Sequence, residues 1–170
     1  MCRQCCFAAL LTASLCTGTA FAQLGEEVPA KPKPQPDQRV QVLLDDLGMK
    51  YEIDEDGDFK LVFEVGDEGR TQIAWIRSRT EKYRDLEIRE IISPGYEAKG
   101  GDFPGTVALQ LLDDNRSKKF GGWQKDGNAA IFVTHLAAQV KADTLNSALI
   151  FTVEAADEME KQLSGDKDAF

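Results

Sequence analysis

The residues of this chain that could do chemistry are one histidine, four cysteines and an excess of carboxylates. His135 follows Ile131 and Val133 at strand spacing, which puts it on their face. A general base needs a nucleophile or a substrate group within hydrogen-bond reach and an orienting partner. The chain has no Gly-x-Ser-x-Gly elbow to supply the nucleophile and no second histidine to pair for zinc. His135 is therefore expected to be structural or superficial. The rival reading is a small-molecule binder or hydrolase that uses His135 and nearby acids in a pocket between sheet and helices.

The acidic run from Asp54 to Asp58 invites a calcium reading and fails it. Counted from Asp54, the glycine arrives fourth, at Gly57, and the twelfth residue is Val65. A calcium loop needs Gly sixth and a bidentate acid twelfth. A tight turn with Gly57 at its tip explains the same residues. Gly100-Gly101 and Gly121-Gly122 are not phosphate loops, since no Gly-Lys-Ser/Thr follows either pair. The residues call for no metal and no cofactor.

All four cysteines lie in the first sixteen residues, inside a segment that reads as a secretory signal. Arg3 is its positive end, residues 7–15 its apolar stretch and Ala20-Phe21-Ala22 its cleavage site. Removal of residues 1–22 takes away Arg3, no acid and every cysteine, so a net charge of -9 becomes -10. The mature chain is then expected to be periplasmic or secreted, without disulfides and without stable membrane insertion. So acidic a chain lacks the basic footprint of a general nucleic-acid binder. With 42% apolar residues in clear periodic patterns, it is also not disordered throughout.

Residues 23–36 hold four of the six prolines and read as an extended linker. One domain follows over residues 37–164, with residues 165–170 as a disordered tail. Asp37 caps a helix over 38–47 that carries Val40, Leu43, Leu44 and Leu47 on one face, and Gly48 stops it. The period then changes to two. Tyr51 and Ile53, then Phe59 to Val65, then Thr71 to Arg77 form an antiparallel meander. Residues 84–92 make a further strand, whose five charges suggest an edge. Residues 93–104 read as a Gly- and Pro-rich loop, 105–115 as a helix, 120–125 and 129–136 as a hairpin, and 143–163 as a long helix. Strands grouped against helices in this order predict an α+β layer architecture: a twisted antiparallel sheet of five to six strands with three helices.

Arg77, Arg79, Lys82, Arg84 and Arg89 form the one basic concentration, expected on a solvated strand edge or against an acidic partner. Trp75 and Trp123 both fall in strands, and whichever faces outward is the natural anchor for a peptide or a second subunit. Phe151, beside Ile150, widens the apolar face of the long helix beyond one stripe. Trp75, Trp123 and Phe151 are the candidate partner-binding residues, and no catalytic residue is assigned.

Residues 37–163 resemble the YbjN-like family of bacterial domains, described as sensory transduction regulators. The segments that carry the resemblance are VQVLLDDLGMKYEIDEDGDFKLVFEV, Asn115 at the end of the middle helix, FGGWQKDGNAAIFV and VEAADEMEKQL. The resemblance implies a fold similar to the type III secretion chaperones, often dimeric, which bind segments of other proteins and catalyse nothing. The export signal departs from the family, so cytosolic regulation does not carry over. The resulting expectation is an exported, non-enzymatic module that binds a protein partner or a second copy of itself.

Overall fold

The computed structural model describes residues 34–66, 69–165 and 167–170. The segment expected to be a signal, all four cysteines and most of the Pro-rich linker lie outside these residues. Nine elements follow in order: α1 (Gln38–Asp46), β1 (Glu52–Ile53), β2 (Phe59–Val65), β3 (Arg70–Tyr83), β4 (Leu86–Glu97), α2 (Gly105–Asn115), β5 (Gly121–Asp126), β6 (Ala129–Ala137) and α3 (Ala142–Ser164). The strands form one antiparallel sheet in the order β1-β2-β3-β4-β6-β5. The α+β class and the three helices are as the periodicity predicts, and the strands number six, within the expected five to six. No described helix is long and apolar enough to cross a membrane.

Local chemistry sets most boundaries. The Asp37 carboxylate accepts the Arg39 N–H at 2.9 Å and caps α1, and Gly48 leaves the helix at φ 64°. Gly57 and Gly127 supply the positive φ of the β1–β2 and β5–β6 turns.

Two boundaries differ from the expectation. β3 does not stop at Arg77 but runs on to Tyr83 and returns as β4 through the two-residue loop Arg84-Asp85. β4 in turn continues through Pro94 and Gly95 to Glu97, where the sequence suggests a loop. A register shift between Pro94 and Tyr96 accommodates the two residues. Gly95 is required there, because a Cβ would lie 2.5 Å from the Trp123 ring and 3.1 Å from the Ala156 carbonyl.

The charges of β4 also mislead. The strand is central, between β3 and β6. Its Arg89 is 1% exposed and donates to Asp37 and to the Arg77 and Ser78 carbonyls, at a second register shift in β3. A buried guanidinium is tolerated because every direction it points in holds an acceptor.

The helix-covered face of the sheet carries two apolar clusters beneath α3. Phe59, Leu61, Ala74, Ile76 and Ile91 pack with Val40 and Leu44 of α1 and with Leu145, Leu149 and Val153. Trp123, Ala130 and Phe132 pack with Leu111 of α2 and with Ala155, Ala156 and Met159. Thr152, hydrogen-bonded at 2.7 Å to Thr134 of β6, lies where one cluster gives way to the other along α3.

Candidate functional site

Strand side chains alternate, so the residues between those core positions point away from the helices. The register then draws a row across the whole sheet: Glu52, Lys60, Trp75, Ile92, Val133 and Gly122. On one side of it Val62 pairs with Ile73, and Pro94 pairs with Ile131. On the other side Glu90 pairs with His135. None of these residues belongs to either core cluster, and the helix residues of both clusters pack on the opposite face. The result is a partly exposed apolar stripe of Val62, Ile73, Trp75, Ile92, Pro94 and Ile131 across four strands, which runs into the buried Val133 and is bordered on one side by charged and polar groups.

Trp75 sits near the middle of this stripe, half-buried between Lys60 and Ile92. The other two candidates lie on the helix side. Trp123 is 8% exposed, stacks edge-on against Phe132 and donates its indole N–H to Asp114 at 2.7 Å. Its backbone N–H donates to Asn115 Oδ1 at 2.6 Å, which occupies that position on the free edge of β5. Phe151 is half-buried against Phe120 and Phe132. The fold therefore brings Trp123 and Phe151 together around Phe132 and leaves Trp75 apart from both.

His135 is on the face of Ile131 and Val133, as its spacing predicts. It is exposed, with Nε2 3.2 Å from Glu90 Oε1. It lines neither of two clefts found among the described residues. One, of about 400 Å³, lies between the loop after β4 and the end of α3, lined by Tyr96, Lys99, Asp102 and Leu163. The other, of about 200 Å³, lies between α2 and β5 and is lined by Phe103, Ala108, Leu112 and Trp123. No group of three or more His, Cys, Asp or Glu able to hold a metal occurs among the described residues.

The basic run divides into two kinds of residue. Arg77 pairs with Asp58 at 2.8 Å and Arg89 with Asp37, so both serve the fold. Arg39, which contacts both Asp37 and Glu87, completes that network. Hydrogen bonds from Arg39 and then Thr80 hold the Glu87 carboxyl down at about 2. Arg39 and then Arg89 hold Asp37 lower still, against the opposing effect of burial. Only Arg79, Lys82 and Arg84 project from the β3–β4 hairpin.

The sequence reading missed the partners of Trp75 in the stripe, although period-two alternation marks Ile73 with Trp75 and Ile131 with Val133. The signal lacking was which of the two faces the helices would cover. No family model and no curated protein matches the chain.

Proposed function

We propose that this chain is an exported, non-enzymatic protein-binding module of YbjN-like type, with the layer plan of type III secretion chaperones. It captures a protein partner on the uncovered face of its sheet. The observation that carries this reading is the apolar stripe around Trp75, a large aromatic presented among β-branched side chains with a polar margin. Interfaces concentrate their energy in such centrally placed aromatic anchors. The order helix, strands, helix, hairpin, helix supports the family assignment. The position of His135 on the margin of the stripe, outside both clefts, favours binding over hydrolysis.

The test is capture of partners from a periplasmic extract by the mature chain, run beside Trp75→Ala and Trp75→Asp variants matched for folding by circular dichroism. A partner held by the parent and lost from both variants supports the reading. A partner held equally by all three overturns it. Light scattering at high micromolar concentration tests whether the partner is a second copy of the chain.

A further inference from the structure

β3 and β4 pair from Trp75 and Ile92 outward to the hairpin tip, but not inward of that pair. Pro94 explains the stop. Its carbonyl faces β3, where it accepts from Gln72 Nε2 at 2.6 Å, so its nitrogen faces β3 as well and has no hydrogen to donate. The Ile73 carbonyl, left without that donor, accepts from the Ser93 hydroxyl at 2.6 Å. β4 goes on to pair with β6, while β3 between Arg70 and Ile73 keeps only β2. The sheet is split there, and one edge of β3 lies open inside it. The buried Gln72 Oε1, without a partner among the described residues, shows that side chains fill the split incompletely.

Residues 167–170 lie on this edge. Asp168 accepts from the Thr71 N–H at 3.2 Å and from the Thr71 hydroxyl at 3.3 Å, and is 3.8 Å from the Arg70 guanidinium. The Phe170 carbonyl, also 3.3 Å from the Thr71 hydroxyl, is an alternative acceptor for its one hydrogen, and the Lys167 carbonyl accepts from Arg70 at 3.3 Å. The Ala169 N–H donates to Glu160 Oε1 at 2.7 Å. Most of these bonds are long. Beneath them Arg70 is clamped by Asp157 at 2.7 Å and Glu160 at 3.0 Å, both buried on α3.

We propose that this edge of β3 is a docking slot for an extended acidic peptide segment, which residues 167–170 occupy in the resting molecule and a partner segment takes over by displacement. The slot states its own ligand chemistry. The Thr71 N–H and hydroxyl present donors that select an acceptor side chain such as a carboxylate, beside an Arg70 whose charge is shared with Asp157 and Glu160. Glu160 Oε1 then accepts the backbone N–H of the next residue. The resident Lys-Asp-Ala-Phe has that pattern. Tethering gives it a high local concentration, so it excludes weak competitors. This site is on the sheet edge and does not rest on the reading of the open face.

The experiment uses the mature chain, the same chain ending at Asp166, and a full-length Asp168→Ala variant that keeps its backbone. The probe is a blocked peptide of residues 165–170. Truncation is expected to speed exchange of the Thr71 amide at least tenfold, and Asp168→Ala to speed it several-fold. The peptide is expected to shift the Thr71 amide resonance in the truncated chain at least tenfold more readily than in the full chain. A peptide with Ala in place of Asp is expected to bind it at least fivefold more weakly. Unchanged Thr71 exchange in both variants overturns the proposal. So does a folded truncated chain whose Thr71 resonance ignores millimolar peptide, or one that binds the two peptides equally.

Discussion

Trp75 and Trp123 are the same residue type in the same kind of element, yet the fold uses them in opposite ways. Trp123 fills the core under α3 and α2 and satisfies its indole on Asp114. Replacing it with Ala opens a cavity and removes that hydrogen bond, at a cost of about 3–5 kcal/mol. Trp75 faces away from the helices, so Trp75→Ala gives up little more than cross-strand contacts, about 1 kcal/mol. Urea unfolding of the two variants measures the difference, and equal losses would contradict the orientation assigned to either ring. The alternation of Ile73, Trp75 and Arg77 shows in the sequence that they share a face. It does not show that the face is uncovered, because that depends on α1 well before this stretch and α3 more than 60 residues after it, packed by long-range contacts. Arg89 makes the same point about charge. A lone Arg in a strand reads as exposed, and only the distant Asp37 and the carbonyls at the β3 register shift make its burial possible. Arg89→Met takes a donor from the Arg77 and Ser78 carbonyls and leaves Asp37 to Arg39 alone, and is expected to cost about 3 kcal/mol in the same measurement.

Among the elements, helices and tight turns were legible because their determinants are local. The Asp37 cap, Gly48, Gly57 and the Asp126-Gly127 turn act within a few residues of where they stand. β4 was legible only in its first half. Its second half contains Ser93-Pro94-Gly95, a composition that marks a loop when no neighbour is known. Pairing with β6 supplies the hydrogen bonds that a loop would otherwise take from water, and the register shift absorbs the misfit. Gly95 is the residue on which this depends, because the Trp123 ring and the α3 backbone both press against it. Gly95→Ala is expected to lower stability by about 1–3 kcal/mol through overpacking, although Ala suits a strand backbone better than Gly does. Pairing the substitution with Trp123→Ala checks the cause. The double variant should lose less than the sum of the two single losses, since the added methyl then meets a cavity.

At the scale of the whole molecule, two polar clusters at opposite ends of the 70–77 stretch of β3 set how the protein responds to pH. At one end Asp37 and Glu87 have carboxyls held below the ordinary range, by Arg39 first in each case. Their contribution to stability is complete above the ordinary carboxylate value and is lost as pH falls through it toward about 2, where Glu87 titrates in the folded state. At the other end, burial pushes the Glu160 carboxyl up, despite the Ala169 N–H and the Arg70 charge beside it. That contribution has the opposite sign. It is complete below the ordinary value and is lost as pH rises through the raised one. The two limbs place the stability maximum on the acid side of neutrality. Thermal unfolding followed from pH 2 to pH 8 is expected to show it there, with a steep fall below about pH 4. Asp37→Asn weakens the first network where it is charged, so its Tm should lie well below the parent's at pH 7 and approach it near pH 2. Glu160→Gln abolishes the second titration, so its Tm should stay level above the ordinary carboxylate value where the parent's declines. Curves for Asp37→Asn and the parent that ran parallel down to pH 2 would show that the Asp37 network does not shape the acid limb. A parent curve as level as that of Glu160→Gln would remove Glu160 from the account in the same way.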